Sequence, residues 1–150
     1  MQLISHRGNI NGKDLGRENI PKAIEEVIDH GFHCEVDLWL ENKKLFLGHD
    51  RPETQINFDW LLSNSDNLWI HCKNFDVLNY LSSEPNNLNF FWHENDDYTL
   101  TSKNYIWTYP DKHFFENRVL VYLESDFKIS ENQKIYGICT DYPKAYSSVE

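Results

Sequence analysis

Pro21-Lys22-Ala23-Ile24-Glu25-Glu26-Val27-Ile28-Asp29-His30-Gly31 and, shortly after, Cys34-Glu35-Val36-Asp37-Leu38-Trp39-Leu40 form the stretch that decides the fold. The first segment reads as a helix. Pro21 suits the first turn, where an amide hydrogen would have no partner, and Gly31 suits the cap that ends it. Ala23, Ile24, Val27 and Ile28 recur at helical spacing and make one apolar stripe. The second segment alternates as a strand, with Cys34, Val36, Leu38 and Leu40 on one side and Glu35, Asp37 and Trp39 on the other. A helix that runs straight into a strand belongs to a parallel βα pattern.

Working outward, Leu3-Ile4-Ser5-His6 is a short opening strand. Leu45-Phe46-Leu47 follows the polar break Asn42-Lys43-Lys44 as a second arm and ends in Gly48-His49-Asp50. Phe58 to Leu62 reads as one or two helical turns, Leu68 to Lys73 as a strand, and Val77 to Leu81 as part of a helix. Leu88 to His93, Tyr105 to Tyr109, Val119 to Glu124 and Ile135 to Thr140 then read as strands with short polar connections. About seven parallel-type strands result, with helices confined to the first half. A complete eight-unit barrel takes roughly 250 residues, and this chain has 150. A barrel of this length has lost helices.

That length reads as one domain, 1–150. Hydrophobic residues at 40% and charged residues at 25% are ordinary globular values and exclude disorder and coiled coil. No apolar run approaches the roughly 18 residues of a membrane span. The Met1-Gln2-Leu3-Ile4-Ser5-His6 start lacks a basic region and a long apolar stretch, so no signal peptide is expected. Net charge is −10, from 14 basic and 24 acidic residues, with no basic stripe, which excludes a nucleic-acid partner. An acidic protein that handles an anionic substrate needs a local remedy, a metal ion or a few placed cations. Cys34, Cys72 and Cys139 are odd in number, widely spaced and without a CxxC, which fits reduced thiols in the cytoplasm.

The chemistry gathers at strand ends. Glu35 and Asp37 share a face, and carboxylates inside a βα fold are costly unless a cation sits there. Oxygen ligands at this spacing suit Mg²⁺ or Ca²⁺, and a solvated strand face is the plainer alternative. His71 and Lys73 repeat the spacing on the next strand, as site groups or as a half-buried His beside a snorkelling Lys. His6 ends the first strand, ahead of Arg7-Gly8, and His49 ends the second arm, ahead of Asp50. Two histidines so placed suit a general base and a general acid, and an Arg beside them suits a phosphate oxygen.

His6-Arg7-Gly8, Glu18-Asn19, Glu35-Val36-Asp37 and His49-Asp50, in that order, resemble the N-terminal signature of glycerophosphodiester phosphodiesterases, in the phosphatidylinositol-phospholipase-C-like barrel superfamily. The likeness is dense over residues 3–50, weak through Ile70-His71-Cys72-Lys73, and returns at Thr140-Asp141-Tyr142-Pro143. It implies metal-dependent cleavage of a phosphodiester. Glu35 and Asp37 would bind the cation, His6 and His49 would be the acid/base pair, and Arg7 and Lys73 would contact phosphate. A neighbouring substrate hydroxyl would attack phosphorus, and water would open the cyclic product.

Two departures from the family stand out. His71 takes the place of its third acidic ligand, and a nitrogen donor there favours Mn²⁺ or Zn²⁺ more than an all-oxygen set does. The second half is also far shorter than in the family. Glu18 braces Arg7 or approaches the metal. The strand aromatics pack the core, or Trp39 or Trp107 walls a pocket whose mouth also holds His93, Glu94 and Glu124.

The expected fold is α/β: a reduced TIM-type (β/α) barrel of seven or eight mostly parallel strands with several helices missing. Barrel surface left uncovered would pair in a homodimer. The expected activity is hydrolysis of a small soluble glycerophosphodiester or sugar phosphodiester. A lyase that releases the cyclic phosphate and a catalytically degenerate barrel that binds a phosphorylated ligand are the alternatives.

Overall fold

The strand read over residues 34–40 runs from His33 to Glu41 and organises its neighbours. In the computed structural model, which describes residues 1–83, 85–112, 116–126, 128 and 134–147, it is β2 of ten strands. β1 is Gln2–His6, β3 Lys44–Leu47, β4 Thr54–Ile56, β5 Leu68–Cys72 and β6 Asn89–Trp92. β7 is Tyr98–Leu100, β8 Ile106–Thr108, β9 Arg118–Val121 and β10 Gly137–Thr140. The helices are α1 Pro21–Asp29, α2 Phe58–Ser63, α3 Phe75–Ser83 and α4 Pro143–Ser147. Among the described residues no helix is long and apolar enough to cross a membrane.

Local chemistry sets the boundaries. Pro21 opens α1, and Gly31, at φ +84°, closes it. The amides of Gly31 and Phe32 return to the carbonyls of Ile28 and Val27, the paired bonds of a glycine-terminated helix end. Ala23, Ile24 and Val27 are its buried stripe. The Asn57 side chain accepts from the Trp60 amide and starts α2.

Parallel ladders run in the order β6-β5-β2-β1-β10-β9-β8. Antiparallel ladders add β3 to β2, β4 to β3 and β7 to β8. The expected reduced TIM-type barrel of mostly parallel strands is therefore wrong. The described residues form a curled mixed sheet, a half-barrel of ten strands, with four short helices. Turn chemistry explains the difference. Asn42 and Lys43 both adopt positive φ, so the polar break is a two-residue hairpin turn that folds β3 back on β2. Asn104, also at positive φ, lies in the loop that folds β8 back on β7. The arm read at Leu45-Phe46-Leu47 is β3 of that antiparallel hairpin, β4 and β7 are further antiparallel arms, and α4 is only five residues long.

Two apolar layers result. One side of the sheet packs on the helices through Ile24, Val27, Cys34, Val36, Leu38, Ile70, Val77 and Leu81. The inside of the curl is filled by Ile4, Trp69, Phe91, Trp107, Val119, Val121 and Cys139. All three cysteines are buried and free.

Candidate active site

The polar centre sits one layer above that inner cluster. Because strand side chains alternate, the residue two positions after each inner apolar group returns to the same face. Ile4 leads to His6, Trp69 to His71, Phe91 to His93, Trp107 to Tyr109 and Cys139 to Asp141. All but Asp141 line one cavity of about 430 Å³, with Arg7, Glu35, His49, Lys73, Trp92 and Glu94. The parallel strands thus put their carboxyl ends at this cavity, the usual place for ligands in such sheets.

Strand β2 brings the two expected catalytic histidines together. One edge of β2 pairs with β5 throughout, from Cys34 opposite Leu68 to Leu38 opposite Cys72. Its other edge is shared. β1 pairs along its first part and stops with His6 opposite Glu35, and β3 pairs along its last part and stops with Leu47 opposite Leu38. The Arg7 amide reaches the Glu35 carbonyl at 3.0 Å and the Gly48 amide the Asp37 carbonyl at 3.2 Å. The chain ends bearing His6-Arg7 and Gly48-His49 therefore meet at Glu35 and Asp37.

Those carboxylates are buried, Glu35 at 3% exposure and Asp37 at 0%. Arg7 Nε lies 3.0 Å from Asp37 Oδ2, His71 Nδ1 3.1 Å and Lys73 Nζ 3.5 Å from Asp37 Oδ1. Asn19, at positive φ, donates to Asp37 Oδ2 and accepts from the Asp37 amide, both at 2.9 Å. Burial alone would raise the Asp37 pKa, but His71, Arg7 and Lys73 hold it well below the usual carboxylate range. Glu35 moves the other way. Burial and the Asp37 charge push it up, against His6, Arg7 and His71.

Glu35, Asp37 and His71 can offer ligand atoms that all lie within 4.8 Å of one another. Glu35 Oε2 is buried without a hydrogen-bond partner among the described residues, and Asp37 Oδ1, also buried, is met only by the ion-pair contacts of His71 Nδ1 and Lys73 Nζ at 3.1 and 3.5 Å. Buried acceptors without donors are costly. A cation among them removes that cost, so these residues fit a divalent metal.

Glu18 takes the bracing position: its Oε2 lies 3.3 Å from Arg7 Nη1, and its Oε1 accepts from Asn9 at 3.2 Å. Burial opposes the Arg7 charge, but Glu35, Asp37 and Glu18 raise its pKa above the ordinary value. His6 Nδ1 lies 2.8 Å from Asp141 Oδ1, which also accepts from Asn9 at 2.8 Å. Burial would raise the Asp141 pKa, but these two donors bring it below the ordinary value. His49 stands at the rim, its Nδ1 2.7 Å from Asp50 Oδ1. The Trp39 indole donates to the Gly48 carbonyl at 2.6 Å, so Trp39 steadies the His49 turn and Trp107 is the one that walls the cavity. His93 and Glu94 line it as well, whereas the Glu124 carbonyl accepts from the Tyr146 hydroxyl elsewhere.

Asn9, Asn19 as an anchor of Asp37, and Asp141 as the partner of His6 carry roles that sequence reasoning did not assign. The available signals were the Glu18-Asn19 pair and the Asp that follows the closing strand. No family model, no curated protein and no solved structure matches this chain, so the family resemblance rests on the motif residues alone.

Proposed function

We propose that this chain is a cytoplasmic, metal-dependent phosphodiesterase acting on a small soluble diester such as a glycerophosphodiester or sugar phosphodiester. One observation carries the reading: His6, Arg7, Glu35, His49, His71 and Lys73 all line a single cavity at strand ends. Its volume, about 430 Å³, suits a small molecule. The three buried free thiols support a reducing compartment. The homodimer belongs to the same proposal, and a strict monomer at high micromolar concentration in light scattering excludes it.

Arg7 and Lys73 place two cations on the cavity wall for the phosphate oxygens. Glu35, Asp37 and His71 would hold a divalent ion, which when bound would supply charge neutralisation for the nonbridging oxygens and a lowered pKa for the hydroxyl. The Asp141 carboxylate accepts the hydrogen bond of His6 Nδ1–H, which leaves Nε2 to accept the hydroxyl proton. His6, held by Asp141, acts as base, and His49, at the more exposed rim, acts as acid. The substrate hydroxyl bonds to phosphorus, the bond to the leaving oxygen breaks, and His49 protonates the departing alkoxide into solvent. Water then opens the cyclic phosphate with the two roles reversed.

Phosphorus NMR of the products, with His6→Ala and His49→Ala beside the parent, tests this. The expected result is a monoester from the parent and loss of turnover in both variants with folding retained. Full activity in both variants refutes the assignment, and a cyclic end product makes the protein a lyase.

A further inference from the structure

His71 stands where an oxygen ligand is expected, and its ring is fixed from both sides. Its plane stacks on Phe91 at a centroid distance of 5.3 Å and 7° between planes. Its Nε2 lies 3.0 Å from the His93 carbonyl oxygen. A carbonyl only accepts, so Nε2 carries the proton and donates. In the neutral ring Nδ1 then holds a lone pair, and it faces Asp37 Oδ1 at 3.1 Å and Glu35 Oε1 at 3.9 Å. That nitrogen is the one a cation lying between the two carboxyl groups would meet, since ligand atoms of Glu35, Asp37 and His71 all lie within 4.8 Å of one another. Glu35 Oε2, buried and without a hydrogen-bond partner among the described residues, adds one more acceptor to the same space.

A ligating histidine almost always donates its other ring N–H to a carboxylate, a backbone carbonyl or water, which fixes the tautomer and the ring orientation. The His93 carbonyl does this here before any ion is present. Hard cations such as Mg²⁺ and Ca²⁺ take oxygen ligands, whereas imidazole suits later divalent transition ions. We infer that Glu35, Asp37 and His71 form a mixed carboxylate–imidazole site selective for a borderline transition ion such as Co²⁺ or Zn²⁺ over Mg²⁺ and Ca²⁺, with His71 binding through Nδ1. This rests on the metal reading of the preceding subsection and extends it to the class of ion.

The test is calorimetric titration of tag-free, chelator-treated protein with the chloride salts of Zn²⁺, Co²⁺, Mn²⁺, Mg²⁺ and Ca²⁺, without substrate. The expected result is at least about 100-fold tighter binding of Zn²⁺ and Co²⁺ than of Mg²⁺ and Ca²⁺, with Mn²⁺ between them. His71→Glu should narrow that ratio at least about tenfold by restoring an oxygen donor, and Glu35→Gln should weaken every ion. If His71→Glu fails to fold, long-range proton–nitrogen NMR of the parent protein decides. Zn²⁺ should shift Nδ1 of His71 while Nε2 keeps its proton. Mg²⁺ or Ca²⁺ bound within tenfold of Zn²⁺, no ion bound, or coordination through Nε2 overturns the inference. Selective binding without cleavage of any diester leaves it standing and removes the phosphodiesterase reading. Cleavage that persists in chelator with no ion bound does the reverse.

Discussion

Replacing Asp37 by asparagine and Glu35 by glutamine, one at a time, in chelator-treated protein separates two carboxylates that share one face of β2. Asp37 faces Arg7, His71 and Lys73 within 3.5 Å, and its pKa is depressed. A depressed carboxylate stabilises the fold above its unfolded value of about 3.9, and the contribution is lost as pH falls through the lower folded value. Removing one member of a buried charge pair costs about 3–5 kcal/mol. Arg7 and Lys73 remain 15–16% exposed, so water relieves part of that loss and about 3 kcal/mol is expected. At roughly 2–4 °C per kcal/mol, Asp37→Asn should lower Tm by about 6–12 °C at pH 7. Glu35 has a raised pKa, so its contribution is present below about pH 4.3 and lost as pH rises through the folded value. Glu35→Gln should therefore leave Tm unchanged or raise it, increasingly so from pH 5 to pH 8. Thermal unfolding by circular dichroism measures both. Equal losses in the two variants would show that Glu35 is held ionised by its neighbours and would refute the reasoning.

Asp141→Asn replaces the charged carboxylate that orients His6 by a neutral amide. Turnover should fall about 10²-fold or more with KM little changed, and an unchanged rate removes Asp141 from the mechanism. Gly48→Ala sets a Cβ against the Arg51 carbonyl at φ +153°. The expected loss is about 1–3 kcal/mol by urea unfolding, and wild-type stability would show that the turn yields freely. Zn²⁺ at about 100 times its Kd should stabilise the protein by about 2.7 kcal/mol, or roughly 5–11 °C in Tm, at pH 8. That gain should shrink by pH 5, as protons compete with the ion for its ligands, and a gain independent of pH would place the ion elsewhere.

The period-two and helical patterns carry much of this fold. Cys34-Val36-Leu38 against Glu35-Asp37 reads directly as β2, and Pro21 to Gly31 as α1. What escaped was direction. A strand pattern says which side chains share a face but not whether the next strand returns alongside or crosses over. Only the positive φ of Asn42 and Lys43 turns β3 back. β4 and β7 are three residues each, too short to show alternation. The site was legible as strand-end residues because strands of one sheet deliver their ends to one place. The His6–Asp141 contact spans nearly the whole chain and leaves no local signal, and the Nδ1 orientation of His71 depends on a backbone carbonyl that no pattern of residue types records.

The most direct test of the central claim is the rate of glycerophosphodiester cleavage by the purified protein with Zn²⁺, Co²⁺, Mn²⁺, Mg²⁺ or Ca²⁺ and with chelator, using His6→Ala as the blank. Metal-dependent turnover in the parent, absent with chelator and absent in the variant, is the predicted result. Turnover equal in parent and variant, or none with any ion that calorimetry shows to be bound, would contradict it.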